Sequence, residues 1–525
     1  MTEQVFATTM AAPDDPDAFD EMAAENVAPL VVWLGSTDSA GVTGRVFEVE
    51  GGKVSVADGY QHGRVIDKGA RWEPIEVGAA VTELLAEAPA PAPVYGPGER
   101  ILLGALAAWD AEGVKPGPLS WEPREPSGVG TDTSEAAAMA QRFREFADQV
   151  VSRLPLYHRL CQGAADDLEV AARLLLAAPD QQIPNLLLAA VHDVLLAGER
   201  DRLADWYPTV LGAHAEVGAR ARSVGAGDDD PWPLFRNLAL HHPGVEQRLT
   251  SGITQTNEVG RSAVIFPAVF SAARHARSAP SGGARPVGIV EIGASAGLNV
   301  DPARYGYRYR IPGDPLRPEE VVTAVGPRSK LMIDCELRGD RVPPLPEGAL
   351  VVESAVGIDR RPVVVSRASD ARWLVACQWP EELERTARLR AAIALAAEEP
   401  PIVEQGDAVA DLGRHVAAVA AHALPVVVST WTMAYLTIER QQELLGELDR
   451  IGTHRDVALV FAEQPERIPG IPVPPRPDGA PDGRATALVR MEWRDGERTE
   501  VRLGDCHPHG RWLEWVDTGR PPDEG

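Results

Sequence analysis

One stretch constrains the fold of this chain more than any other: PVGIVEIGASAGLN, from Pro286 to Asn299. Val287, Ile289, Val290 and Ile292 are apolar and β-branched, the make-up of a strand buried on both faces of a sheet. Glu291 brings an acidic side chain to the end of that strand, and Gly293 and Gly297 bracket the residues that follow. Glycines in a strand-to-helix turn let the backbone approach a ligand closely, with the N–H groups of a helix start aimed at it. The spacing places Asn299 in the first turn after the loop, within reach of either the loop or a ligand.

Three chemistries use a turn of this kind. An acidic residue ahead of G-x-x-x-G resembles the first nucleotide-binding loop of S-adenosylmethionine-dependent methyltransferases. Gly293-Ala294-Ser295-Ala296-Gly297 also reads G-x-S-x-G, the nucleophile elbow of serine hydrolases. A dinucleotide loop is the third, although the full G-x-G-x-x-G is absent. A tight connection with no ligand also favours glycine.

Composition narrows the partners. There are 51 basic and 77 acidic residues, a net charge of −26, and the only lysines are Lys53, Lys68, Lys115 and Lys330. That excess repels phosphate backbones and anionic lipid, so neither nucleic acid nor membrane is expected as a partner, and a small molecule is. Cys161, Cys335, Cys377 and Cys506 form no C-x-x-C pair, which predicts a reducing, cytoplasmic setting and no metal. The acidic N-terminus lacks the basic end and apolar run of a signal peptide. No apolar run nears the roughly 20 residues that span a bilayer.

In chain order, residues 25–52 carry a helical pattern, a small-residue loop, and then Thr43-Gly44 leading into Val46, Phe47 and Val49, closed by Gly51-Gly52. With DKGARWEP at 67–74, this resembles the C-terminal tail of short-chain dehydrogenases over residues 1–97. The catalytic core of that family is missing: the residues four before the lysines are Val49, Arg64, Ala111 and Gly326, none of them the required tyrosine. Dehydrogenase activity is therefore excluded, and the segment reads as a fused remnant or a gene-start artefact whose lone strand lacks its sheet. Residues 98–134 read as a Pro/Gly-rich linker, broken by a short apolar helix near Leu102 to Trp109.

Residues 135–283 have apolar residues at three- and four-residue spacing and predict a helical cap region. It closes with TQTNEVGRSAVIFPAVFSAARHA, read as one helix carrying Gln255, Asn257, Glu258 and Arg261 in its first turns. Residues 284–525 alternate strands and helices, with one helix expected from Asp370 to Ala397. They finish in two alternating runs joined by Asp495-Gly496, a hairpin signal. The expected fold is α/β: a class I methyltransferase-like, Rossmann-like sheet with an N-terminal helical region and a C-terminal antiparallel hairpin at its edge.

PNLLLAAVH (184–192), DPWPLFR (230–236), TQTNEVGR (254–261), EIGASAGLN (291–299), GID (357–359), DARWL (370–374), QGDA (405–408) and HPHGRWLEW (507–515) occur in that order. Together they resemble the bacterial family catalogued as domain of unknown function 2332, over about residues 143–516. That resemblance implies a methyltransferase-like α/β fold with no established substrate; the methyltransferase reading of the Gly-rich loop takes S-adenosylmethionine as cofactor. Glu291, Gly293, Ser295, Gly297 and Asn299 would form the loop around it, Asp359 would accept from the ribose hydroxyls, and Asp407 from the adenine amino group. Glu258, Arg261, Tyr435 and His509 would position the methyl acceptor. His192 reads as a buried, hydrogen-bonded histidine. Two alternatives stand beside this: a serine hydrolase using Ser295, His509 and Asp411 or Asp456, and a non-catalytic ligand-binding protein on a decayed methyltransferase fold.

Overall fold

The computed structural model of the chain describes residues 26–34, 46–50, 52–58, 61–68, 70, 72, 74–87, 133–151, 153–198, 201–210, 222–224, 230–276, 284–312, 320–325, 330–346, 349–477, 479 and 486–517. The chain divides into two compact units, residues 1–99 and 100–525. Apart from Thr133 and Ser134, the expected linker and its short helix lie outside the described residues.

In the first unit, β1 (Val46–Glu50), β2 (Lys53–Asp58) and β3 (Gln61–Asp67) form an antiparallel three-stranded sheet. The strand expected to be alone thus has partners, because the alternating KVSVAD run folds straight back on it, closing at Glu50↔Lys53. Helices α1 (Ala28–Leu34) and α2 (Pro74–Glu87) contribute Leu30, Trp33, Val77, Val81 and Leu84 to a small core around Val54.

The second unit begins with helices. α3 (Thr133–Val150) buries Met139, Phe143, Ala147 and Val150, a stripe at three- and four-residue spacing. It packs with α4 (Pro155–Asp166), α5 (Pro184–Leu196), α6 (Trp232–His241) and α7 (Pro243–Ser251) in one apolar core. α8 (Ser262–His275) then leads into an eleven-stranded sheet.

Its strands are β4 (Val287–Ile292), β5 (Gly306–Ile311), β6 (Glu320–Val325), β7 (Met332–Arg338), β8 (Val352–Asp359), β9 (Val403–Gln405), β10 (Leu424–Thr430), β11 (Val457–Glu463), β12 (Thr486–Arg494), β13 (Glu497–Cys506) and β14 (Trp512–Trp515). They lie in the order β6-β5-β7-β14-β13-β12-β11-β10-β4-β8-β9. The run β9-β8-β4-β10-β11 is parallel throughout. β4 is buried at every position. Val287 and Ile289 face a core shared with Val269 of α8, and Val290 and Ile292 face one with Leu444 and Leu448. That alternation is the two-residue period of a strand covered on both faces.

Three expectations change. No helix follows β4: the chain turns, makes a 3-10 turn at Pro302–Arg304, and enters β5. Tyr305, Tyr307 and Tyr309 recur at period two and are all buried, so strand patterning wins there. The antiparallel strands are not at the sheet edge, since β14 pairs in parallel with β7 and the sheet continues through β5 and β6. The helix expected from Asp370 to Ala397 is two, α9 (Ala368–Ala376) and α10 (Leu383–Glu398), parted around Pro380. The last helices are α11 (Leu412–Ala418) and α12 (Ile438–Gly452). No helix among the described residues is long and apolar enough to cross a membrane.

Candidate functional site

The chain leaves β4, adds β8 and β9 on one side, then crosses to β10 and β11 on the other. At such a reversal the loops after neighbouring strands part and open a crevice at the carboxyl ends. A cleft of about 350 Å³ occupies that place. Its floor carries Glu291, Gly293, Ser295 and Asn299, its walls Asp359, Asp407, Thr430 and Trp431, and its roof residues 180–183 and 253–257 of the helical region.

The Gly-rich loop is held from several directions. Gly293 has φ +69, and a Cβ there would meet Thr432 Oγ1 at 2.2 Å, so this position needs glycine. The Leu298 N–H donates to Asn257 Oδ1 at 3.0 Å, and Asn299 Nδ2 donates to Glu258 O at 3.2 Å. Ser262 Oγ donates to Asn299 Oδ1 at 2.7 Å, and Tyr305 Oη to Leu298 O at 2.6 Å. Asn299 is therefore a loop clamp whose polar atoms are engaged by protein. These ties replace the helix that the sequence led us to expect behind the loop.

The carboxylates differ in state. Glu291 is 2 % exposed and its Oε2 has no partner. Burial, opposed by Arg261 and reinforced by Asp359, pushes its carboxyl up to about 8, so it is neutral at pH 7. Asp359 accepts from the Ser295 N–H and the Arg361 N–H, each at 2.8 Å. Its place beside the loop follows from the parallel register Ile292↔Ile358; residues 302–338, which lie between in sequence, supply β5 to β7 elsewhere in the sheet. Burial works to raise the Asp407 carboxyl, but the Ala410 and Val409 N–H groups and the Arg440 and Arg360 guanidiniums hold it at about 2.

Of the residues assigned to the acceptor, Arg261 and Tyr435 line the cleft, Tyr435 at its rim with 84 % exposure. Glu258 and His509 do not line it, and neither does Gly297, whose ideal Cβ would meet Val403 and Pro401. Glu258 is buried against Arg385 (2.7 Å), Arg388 (3.5 Å) and His509 Nδ1 (3.5 Å). Burial raises its carboxyl, but the Arg385 and Arg388 guanidiniums lower it below the usual range. The His509 ring is driven down to about 3 by burial first and by Arg385 next. The helix expected over TQTNEVGR begins only at Ser262, after a 3-10 turn at Val259–Arg261: residues 252–258 have no regular secondary structure and 253–257 line the cleft, with Gln255 Nε2 donating to Arg361 O at 3.1 Å.

No hydrogen bond joins Ser295 to His509. Ser295 Oγ is buried without a partner, its backbone has φ 53, Asp411 accepts from the Asp407 N–H, and Asp456 lies near Arg285 at the other end of the strands. Among the described residues no histidine lines the cleft. His192 is buried, on Ala376 O at 3.1 Å and Thr209 Oγ1 at 2.7 Å. Among the described residues no three His, Cys, Asp or Glu side chains converge as metal ligands.

Sequence reasoning passed over Trp431. It has φ 57, its Nε1 is buried without a partner, and its ring lies 5.9 Å from the Arg261 guanidinium and 5.8 Å from that of Arg467. Glu463 sets the turn that carries it, accepting from Ser429 Oγ, Thr432 N and Met433 N. The position just after a central strand at the crossover was the available signal.

Comparison with known proteins gives one match: the family model described as "Uncharacterized protein conserved in bacteria (DUF2332)" covers residues 140–515. No curated protein matches the chain. No solved structure matches it.

Proposed function

The chain belongs to the bacterial family DUF2332, and from that premise we propose that its cleft binds S-adenosylmethionine and directs methyl transfer to a small molecule. One observation carries the reading: two buried polar atoms without partners, Glu291 Oε2 and Ser295 Oγ, lie in residues that floor a crevice where the strand order reverses. Buried polar atoms are seldom left unpaired, so a polar ligand is the natural partner for both. The parallel run β9-β8-β4-β10-β11 has the 3-2-1-4-5 order of doubly wound nucleotide-binding sheets.

Electrostatics favour this nucleoside over a dinucleotide. The cleft has Asp180, Asp359 and Asp407 as charged carboxylates against Arg261 and Arg360, the latter paired with Asp407, no lysine among the described residues, and a glycine loop without a helix start behind it. A pyrophosphate would meet carboxylates there, whereas a sulfonium cation and neutral hydroxyls would not be repelled. Asp359 accepts one backbone N–H at each oxygen and keeps a second lone pair on both for a ribose hydroxyl, whereas Asp407 Oδ1 is filled by Val409, Ala410 and Arg440, leaving a lone pair on Oδ2 for an adenine amino group. Bound S-adenosylmethionine would supply an electrophilic methyl group. The chain's contribution is to orient both reactants and exclude water, with residues 253–257 and 180–183 as the cover.

Ultraviolet cross-linking with methyl-labelled S-adenosylmethionine tests the reading. Saturable label in peptides spanning 287–299 or 403–411 is expected. Label that does not saturate, or that maps to the first unit, contradicts it.

A further inference from the structure

The cleft has two electrically different ends. Around β8 and β9 it presents Asp359 and Asp407; around β10 it presents Arg261, Trp431 and Tyr435. Arg261 is held by two carbonyls, Nε donating to Pro508 O at 2.8 Å and Nη1 to Thr430 O at 3.2 Å. Among the described residues its Nη2 has no hydrogen-bond partner, and no carboxylate oxygen comes within 4.0 Å of the guanidinium. Most other arginines around the sheet are paired, Arg385 with Glu258 and Glu382 and Arg440 with Asp407 and Glu443 among them.

Beside this guanidinium, which Glu258 and Glu463 influence from a distance without pairing directly, stands a donor without an acceptor. Trp431 keeps a left-handed backbone that a bulky side chain rarely adopts, and its indole N–H is buried without an acceptor. The pairing of its face with Arg261 fixes the two groups together.

We infer that Arg261 and Trp431 form a carboxylate-binding subsite that anchors the methyl acceptor by an anionic group. A guanidinium edge and an indole N–H offer two donors to the two oxygens of one carboxylate. A phosphate dianion would meet the nearby Asp359 and Asp407 more strongly, so a monoanion is the better guest. That the anion belongs to the acceptor rests on the transferase reading; the anion site itself does not.

The test is calorimetric titration of the full chain with benzoate and with benzamide, its neutral analogue of the same shape. Saturable benzoate binding is expected, with benzamide at least about tenfold weaker. Trp431→Phe keeps an aromatic ring and removes the N–H, and should weaken benzoate about tenfold with the melting temperature little changed. Arg261→Gln should abolish benzoate binding; should that variant not fold, Trp431→Phe decides. Equal binding of the two probes, unchanged binding in Trp431→Phe, or no saturable benzoate binding overturns the subsite. S-adenosylhomocysteine titrated into the same sample reads the transferase separately. Benzoate binding without nucleoside binding supports the subsite and overturns only its assignment to a methyl acceptor.

Discussion

Glu291 sits where a strand's burial meets a ligand cleft, and its titration follows from that position. Its folded value of about 8 lies above the usual carboxyl range, so between about pH 4.5 and 8 the folded state holds a proton that the unfolded chain has released. This side chain therefore makes stability fall as pH rises through that window. Glu291→Gln should raise the melting temperature clearly at about pH 8 and little at about pH 4.5; equal gains at both would contradict the assignment. Glu258 is the opposite case, a buried carboxylate kept charged by arginines. Arg385→Met should cost up to about 3–5 kcal/mol in denaturant melts by removing the closest partner of that charge and leaving it Arg388 at 3.5 Å. Glu291 was legible because a local pattern ends on it. Glu258 and His509 fall outside the cleft lining, because the partners that hold Glu258, Arg385 and Arg388, lie some 130 residues along the chain from it. Apart from its place just after a central strand, nothing marked Trp431, since a positive φ leaves no signature when glycine is not used.

At the scale of elements, buried strands and amphipathic helices were readable, and their junctions were not. β4, β10 and β11 are short runs rich in β-branched apolar residues and α12 is a two-faced helix, so length and composition mark the strands and period marks the helix. The loop after β4 lost its expected helix to tyrosines at period two, one of which now holds the loop: Tyr305→Phe should cost about 0.5–1.5 kcal/mol and loosen ligand binding, because Leu298 O loses its donor. The turn after β13 matters equally, since it presents Pro508 O to Arg261. Gly510 has φ +68, and a Cβ there would lie 2.0 Å from Gly260 O. Gly510→Ala should destabilise the fold by at least about 1–3 kcal/mol; unchanged denaturant melts would contradict that contact.

For the whole molecule, the sequence spoke to class more than to topology. Alternating strands and helices pointed to an α/β sheet, and the largely parallel eleven-stranded sheet agrees at that level. The pairing of β14 with β7 joins segments some 175 residues apart, which no local pattern encodes. The crossover beside β4 makes the cleft, and the cleft makes the functional claim. The most direct measurement is calorimetric titration of the full chain with S-adenosylhomocysteine, with NADPH as control and Ala408→Phe as a variant that fills the cleft from its wall. Micromolar binding of the nucleoside, lost in Ala408→Phe and absent for NADPH, is predicted. No heat from the nucleoside, or binding that survives in Ala408→Phe, would contradict the account.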